Sequence, residues 1–149
     1  MVLDAGDSVP RVSATNQDGK RITIEFEAPT VLYFYPQDGS PGCTTEAQNF
    51  DGALDTYAEA GVDVYGISTD DVESHRAFAA ENDLGFDLLA DPDAKVAGAF
   101  DVPVSNGCAE RTTFVCAGGQ VCGVYEGIHY EGHAKSVLGD MINLGLVSL

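Results

Sequence analysis

The chain has 149 residues, of which 24 are acidic and 7 are basic, so its formal net charge is −17 with the three histidines neutral. A chain of this length fits one domain and can bury roughly 70% of the surface that its unfolded form exposes. The hydrophobic content of 44% is enough for a core, so we expect residues 1–149 to form a single folded domain. Phosphate-binding surfaces need positive charge, which excludes nucleic acid as a partner and disfavours an anionic membrane.

The apolar segments are short. The longest uninterrupted apolar run is residues 31–35, far below the ~20 residues that a membrane-spanning helix needs. The first residues contain neither the basic nor the apolar region of a secretory signal, so we expect a cytoplasmic protein.

The acidic residues are spread along the whole chain, without a block of five or six. They are therefore interpreted as a solvated acidic surface suited to high salt, as in halophilic proteins, rather than as a binding face for cations or basic partners.

Apolar periodicity predicts alternating strands and helices. Strands are expected at 21–27, 31–35, 62–68, 86–89, 112–116 and 121–125, the last two joined by a turn at Gly118-Gly119. Helices are expected at 43–60, 70–82, 93–100 and 134–144, the third beginning at Asp91-Pro92. This order indicates an α/β fold with a central mixed sheet flanked by helices.

The cysteines are Cys43, Cys108, Cys116 and Cys122, and none of them forms a Cys-x-x-Cys pair. In a reducing compartment they are more often thiols, metal ligands or redox groups than structural disulfides. A two-residue turn at 118–119 would place Cys116 and Cys122 on opposite faces of the sheet, and only an odd-numbered loop would pair them. Both are predicted to be sheet residues.

Cys43 follows a buried strand and a turn, at the start of a helix. Ser40 suits the N-cap and Pro41 the first helical position, which puts Cys43 in the first turn. The helix dipole and the free backbone N–H groups there favour the thiolate over the thiol. An isolated cysteine is usually a small buried hydrophobe, but this setting indicates a reactive one.

The spacing Pro36-x-x-x-Ser40-x-x-Cys43 resembles the Pro-x-x-x-Thr/Ser-x-x-Cys active-site motif of the peroxiredoxins. Further segments resemble their bacterioferritin-comigratory (peroxiredoxin Q-like) branch, and in chain order these are 33–36, 40–47, 66–70, 74–75, 89–93, 111–115 and 132–133. The resemblance implies a thioredoxin-like fold and the reduction of hydrogen peroxide or organic hydroperoxides by a peroxidatic cysteine.

The resemblance also implies the roles of individual residues. The Cys43 thiolate would attack the peroxide and become a sulfenic acid. Ser40, in place of the commoner threonine, would hydrogen-bond the peroxide or the thiolate, and Pro36 would limit the access of water. Arg111 would stabilise the thiolate and polarise the peroxide. Arg111 adjoins the end of strand 31–35 if strand 112–116 lies antiparallel beside that strand.

Gly42 and Glu46 are expected to support this site, Glu46 by orienting a neighbour. The resolving cysteine that many members of the branch carry five residues after the first is replaced here by Gln48, and residues 70–82 contain none. Cys108, in the loop 102–110, is the remaining candidate, provided that its Cα comes within about 4.4–6.8 Å of that of Cys43. The alternative is a one-cysteine enzyme whose sulfenic acid is reduced directly by an external thiol.

No metal or organic cofactor is expected. His129 and His133 are four residues apart, but Glu131 is misplaced for a zinc protease and Gly132 weakens a helix. His75, on an acidic helix, is expected to face solvent or to cap.

Together these features predict a thioredoxin-dependent hydroperoxide reductase in antioxidant defence. Its expected partners are a hydroperoxide substrate and a thioredoxin-like reductant, and its expected state is a monomer or weak homodimer. The alternative function is a redox sensor, in which Cys43 oxidation changes the affinity for a partner without sustained turnover.

Overall fold

The computed structural model describes residues 3–126 and 132–147. Within them the strands are β1 (Val12–Asn16), β2 (Arg21–Ile24), β3 (Thr30–Phe34), β4 (Asp63–Ser68), β5 (Asp87–Ala90), β6 (Val104–Ser105), β7 (Cys108–Ala109), β8 (Thr112–Ala117) and β9 (Gln120–Glu126). The helices are α1 (Pro41–Gly52), α2 (Leu54–Glu59), α3 (Val72–Asn82), α4 (Lys95–Ala99) and α5 (His133–Asn143).

Seven strands form one mixed sheet in the order β2-β1-β5-β4-β3-β8-β9, while β6 and β7 form a separate hairpin. Strand β3 pairs in parallel with β4 and antiparallel with β8. Residues of α1, α2, α3 and α5 pack in a core cluster on one face, and those of α4 pack in a second cluster on the other. The predicted mixed sheet flanked by helices is confirmed.

Strand β3 lies at the centre and is buried on both faces, which accounts for its continuous apolar sequence. Val31 and Tyr33 pack in one core cluster, and Leu32 and Phe34 pack in the other. The chain leaves the end of this strand into the turn that leads to α1, so the most rigid part of the sheet positions Cys43.

The predicted helix 43–60 is in fact two helices. The chain leaves the helical conformation at Ala53, with φ −99° and ψ 0°, directly after Gly52. Glycine weakens a helix interior, and the break lets Phe50 on α1 and Tyr57 on α2 both be fully buried.

The predicted start of α4 at Asp91-Pro92 is wrong. The helix begins at Lys95, after Ala94 in the left-handed region with φ 55°. The Asp91 carboxylate still caps the helix, because its oxygens accept from the backbone N–H groups of Val96 and Ala97, both at 3.0 Å. The capping residue was identified correctly, but it acts across a turn.

Strand β1 and the β6–β7 hairpin were not predicted. The sequence of β1, Val-Ser-Ala-Thr-Asn, alternates between buried and less buried positions but contains few large apolar residues. The hairpin turns through Asn106 and Gly107, both with positive φ (53° and 79°). Asn-Gly is a strong hairpin signal, so the sequence did contain the information for this second element.

The β8–β9 hairpin is confirmed, with Gly118 and Gly119 both at positive φ. Cys116 pairs with Val121, and a β-bulge then shifts the register so that Val115 pairs with Gly123. Cys116 is fully buried in one core cluster, whereas Cys122 packs against the other. The two thiols therefore lie on opposite faces, as predicted.

Candidate active site

Cys43 lies in the first turn of α1, where the sequence placed it. Ser40 is the N-cap, and its hydroxyl oxygen accepts from the backbone N–H of Cys43 at 3.4 Å. Pro41 begins the helix. Cys43 is 1% exposed, so its sulfur is surrounded by protein while facing the positive end of the helix dipole.

Arg111 approaches the same sulfur from the sheet. Thr112 at the start of β8 pairs with Phe34 at the end of β3, so the predicted antiparallel arrangement is present. The Arg111 Nη2 group donates to Cys43 Sγ at 3.3 Å, and Nη1 donates to Glu46 Oε1. One guanidinium therefore joins the cysteine to a carboxylate on the next turn of α1.

Glu46 is fully buried. Burial raises the pKa of Glu46 to about 7 even though the Arg111 charge and hydrogen bond act in the opposite direction. Burial alone would lower the pKa of Arg111, but Glu46 and Cys43 raise it, so the guanidinium stays charged. The neighbour that Glu46 contacts is Arg111.

Tyr33 lies behind this group, with its ring stacked on Phe50 at 4.6 Å between centroids. Burial, followed by the charges of Glu46 and Cys43, raises the pKa of Tyr33 well above its usual range. Among the described residues, Tyr33 Oη and Glu46 Oε2 are buried polar atoms without a hydrogen-bond partner.

His133 is buried near enough to Arg111 for the guanidinium charge to affect it. It is the first residue of α5 and 4% exposed, and its Nε2 lies 2.9 Å from Thr113 Oγ1. Burial and the Arg111 charge lower the pKa of His133 to about 4, so it is neutral near pH 7. His129 lies outside the described residues.

Asp38 and His75 form a buried pair that the sequence did not reveal. His75 Nδ1 lies 2.7 Å from Asp38 Oδ2, and His75 has no exposed surface. The expectation that His75 faces solvent or caps is wrong. His75 shares the buried face of α3 with Phe78 and Ala79, and this i, i+3, i+4 spacing was the signal that could have placed it inside.

Residues 5–121 match the model of the AhpC/TSA family. The chain belongs to the AhpC/TSA family. Its relatives there are peroxiredoxins, which confirms the predicted enzyme class and the resemblance to the bacterioferritin-comigratory branch.

Peroxiredoxin Q of Triticum aestivum chloroplasts is 44% identical over 103 residues, which are 68% of this chain and 48% of that protein. The chain thus matches about half the length of this plant relative. A putative peroxiredoxin Bcp of Coxiella burnetii is 32% identical over 93% of this chain and 99% of its own length. The peroxidoxin BcpB structure from Mycobacterium tuberculosis superposes with a TM-score of 0.88 at 31% identity, covering 95% of this chain and 97% of that one. The fold is the thioredoxin-like peroxiredoxin fold.

The remaining predicted site residues are Pro36, Gly42 and Cys108. Pro36 and Gly42 are both partly buried, Pro36 directly after Tyr35 and Gly42 directly before the cysteine. Cys108 begins β7 and is partly exposed, with its Sγ 3.9 Å from Gln37 Oε1 in the turn between β3 and α1. All four cysteines of this peroxiredoxin are free thiols in the structure.

Cys116 differs from Cys43 in its surroundings. Burial, with a smaller contribution from Cys122, raises the pKa of Cys116 to about 12. A thiol with so little thiolate is unreactive near neutral pH, which fits its prediction as a sheet residue.

Asp38, Asp70 and His75 bring three potential metal-ligating atoms within 4.8 Å of one another. Asp38 Oδ2 and His75 Nδ1 are 2.7 Å apart, which is a hydrogen-bond distance, so these two groups are paired with each other. In residues 3–126 and 132–147, no helix is long and apolar enough to cross a membrane.

Proposed function

We propose that Cys43 is the peroxidatic cysteine of a thiol-dependent peroxidase that reduces hydrogen peroxide and organic hydroperoxides. The observation that carries the proposal is the 3.3 Å contact from Arg111 Nη2 to Cys43 Sγ at a capped helix N-terminus. A cysteine that served only packing would gain nothing from a guanidinium held in place by a buried carboxylate. The structure of a Xanthomonas campestris relative was described in connection with alkyl peroxide reduction, which supports the inclusion of organic substrates.

In the first step, the Cys43 thiolate attacks the distal oxygen of the hydroperoxide. A sulfur–oxygen bond forms and the oxygen–oxygen bond breaks, so the sulfur becomes a sulfenic acid and is oxidised by two electrons. The leaving alkoxide or hydroxide takes up one proton and departs as an alcohol or water. The Arg111 guanidinium stabilises the attacking thiolate and the negative charge that develops on the peroxide oxygens.

Ser40 and Pro36 complete the proposed pocket. The Ser40 hydroxyl donates to the Gln37 carbonyl oxygen at a long 3.4 Å, so rotation toward a bound peroxide gives up little. Pro36 has no N–H and lies partly buried beside the turn that leads to Cys43, where its ring keeps water from the sulfur.

In the second step, a thiol attacks the sulfenic sulfur, a disulfide forms and water leaves. We assign this attack to Cys108, since its sulfur contacts the turn that carries Ser40 and Cys43. A thioredoxin-like dithiol then reduces the disulfide, supplying two electrons and two protons. This cycle needs a reducing compartment, which fits a cytoplasmic protein in antioxidant defence acting as a monomer or weak homodimer.

The test is mass spectrometry of the reduced protein after one equivalent of hydrogen peroxide, with Cys43→Ser and the control Cys116→Ser. Rapid oxidation that disappears only in Cys43→Ser is expected. A loss of two hydrogens with a Cys43–Cys108 link identifies a two-cysteine enzyme, and one added oxygen on Cys43 identifies a one-cysteine enzyme. Slow oxidation spread over all four thiols, unchanged in Cys43→Ser, would refute the peroxidase.

A further inference from the structure

A closed hydrogen-bond network surrounds Asp38, and the peroxidase steps above make no use of it. The Asp38 carboxylate accepts from Tyr35 Oη at 2.7 Å, from Ser74 Oγ at 2.7 Å and from His75 Nδ1 at 2.7 Å. The backbone N–H of Asp38 donates to Asp70 Oδ2 at 2.8 Å. Its side chain is 6% exposed, so these protein groups replace nearly all of its water.

Both ring nitrogens of His75 face acceptors. Nε2 lies 2.9 Å from the Leu89 carbonyl oxygen, and Nδ1 lies 2.7 Å from the Asp38 carboxylate. Burial alone would raise the pKa of Asp38, but the hydrogen bond and charge of His75, with Tyr35 and Ser74, lower it. The ring is therefore held at both ends, by the Asp38 carboxylate in a buried ion pair and by the backbone of β5.

This ion pair is tied to the active-site segment. Asp38 lies in the turn between β3 and α1, two residues before the N-cap Ser40. His75 belongs to α3, which stays attached to the sheet through the Leu89 contact on β5. The pair therefore fastens the start of α1 to a rigid part of the molecule.

Cys43 is 1% exposed, so its sulfur must come out of the protein, at least in part, before a second thiol reaches it. Any group that holds the segment closed then slows this second step, while leaving the site assembled for the smaller peroxide.

We propose that the buried Asp38–His75 ion pair is a positioning clamp. It holds residues 36–43 in the conformation that buries the Cys43 sulfur, and it thereby sets the rate at which thiols reach the oxidised sulfur. The closing function follows from the geometry of the pair, whereas the link to thiol exchange rests on the function proposed above.

Hydrogen exchange of the reduced full-length protein measures this opening without any redox chemistry. Asp38→Asn keeps the size of the side chain but removes the charge, and it is expected to increase exchange in peptides covering 36–47 by about tenfold, the scale of one charge-assisted hydrogen bond. Asp91→Asn is the matched control, because Asp91 is also buried and hydrogen-bonded but caps α4. It should affect only the region of α4.

A second variant removes the other partner of the pair. His75→Gln loses the ring that contacts Asp38 and is expected to increase exchange in the same peptides. Unchanged exchange in Asp38→Asn would overturn the clamp.

The redox part uses the same substitutions. In a Cys108→Ser background, which leaves Cys43 as a sulfenic acid after one equivalent of hydrogen peroxide, the rate at which oxidised Cys43 reacts with dithiothreitol should rise about tenfold with Asp38→Asn and stay unchanged with Asp91→Asn. Faster hydrogen exchange in Asp38→Asn without a faster reaction with dithiothreitol would refute the proposal that the clamp controls the access of thiols. If wild-type Cys43 is not oxidised at all, the peroxidase function fails, and hydrogen exchange alone decides whether the pair closes the segment.

Discussion

At the residue scale, the site depends on a side chain whose shape matters as much as its charge. The planar guanidinium of Arg111 presents two N–H groups at fixed separation, one to Cys43 Sγ and one to Glu46. A lysine ammonium is a single point of charge and cannot keep both contacts in one orientation. The carboxylate therefore holds the arginine in place while the arginine donates to the sulfur.

Arg111→Lys is expected to lower the second-order rate constant for hydrogen peroxide by about 10²-fold, the scale of losing one oriented donor to developing negative charge. Stopped-flow kinetics of the reduced protein measures it. Arg76→Lys is the control, because Arg76 is half exposed and pairs with Glu73 on the surface of α3. Equal rates for the two variants would show that Arg111 contributes only charge.

Glu46 and His133 have pKa values shifted in opposite directions, to about 7 and about 4. Glu46 binds its proton more tightly in the folded protein, so its contribution to stability falls as the pH rises from about 4.5 to 7. His133 binds its proton less tightly, so its contribution falls as the pH drops from about 6.5 to 4. Each slope is at most about 1.4 kcal/mol per pH unit, and the two largely cancel.

Removing one of them should uncover the other. Relative to the wild type, Glu46→Gln is expected to lose stability more steeply on acidification, and His133→Asn to lose it more steeply as the pH rises. Guanidinium unfolding at about pH 5 and about pH 6.5 gives both slopes. Two variants that kept the wild-type slope would show that neither pKa is shifted by folding.

The sequence was sufficient to place Cys43, Ser40 and Arg111 together, because a helix cap is a local signal and one strand pairing brings Arg111 to the cap. It was not sufficient for Asp38 and His75. Their contact spans 37 residues, and polar residues on an acidic helix are normally solvated.

At the element scale, the first turn of α1 gives Ser40 two separable functions. Its oxygen caps the helix by accepting from Cys43 N, and its hydroxyl hydrogen is available for a peroxide. Asparagine is an equally good cap but has no hydroxyl. This difference allows the two functions to be measured independently.

Ser40→Asn is expected to keep the free energy of unfolding near the wild-type value and to lower the rate with peroxide. Ser40→Ala should lower both, losing about 1 kcal/mol of stability with the cap. Ser40→Thr keeps both functions and restricts the hydroxyl rotamer, so its rate should equal or exceed that of the wild type. Chemical unfolding measures the stability of the three variants, and stopped-flow kinetics measures their rates with peroxide. A normal rate in Ser40→Asn would show that the hydroxyl takes no part in the reaction.

Elements with strong apolar periodicity were predicted with small errors at their ends, as β3, β4 and α3 show. The errors arose where tertiary contacts override local pattern. Helix 43–60 breaks at Ala53 so that both flanking aromatic side chains reach the core. Strand β1, with its small residues, is defined by pairing with β2 and β5 rather than by its own sequence.

At the scale of the whole molecule, 24 acidic residues face only 7 basic ones. Arg111 is committed to the active site, and the described ion pairs on the surface are Arg11–Glu25 and Arg76–Glu73. Most carboxylates therefore repel one another across the surface. This repulsion destabilises the compact state and is screened by salt.

Raising potassium chloride from about 0.1 M to about 1 M shortens the Debye length from about 10 Å to about 3 Å. We expect the melting temperature to rise by about 5 °C, equivalent to roughly 1–2 kcal/mol for a chain of this size. Calorimetry at both potassium chloride concentrations, with sucrose as an uncharged control, measures the melting temperature. A melting temperature that is unchanged or lower at high salt would contradict the interpretation of the charge as an adaptation to salt.

Arg111 donates to both Cys43 and Glu46, so a change of charge on one of them affects the other. In the proposed cycle, the Cys43 thiolate and the Glu46 carboxylate are two anions that compete for one cation. Once the proposed oxidation makes the sulfur a neutral sulfenic acid, Arg111 is expected to interact with Glu46 alone. The carboxylate is then expected to hold its proton less tightly, so oxidation of the sulfur and release of a proton are coupled, as thermodynamic linkage requires. The proposed site therefore frees a proton in the same event that produces the alkoxide needing one.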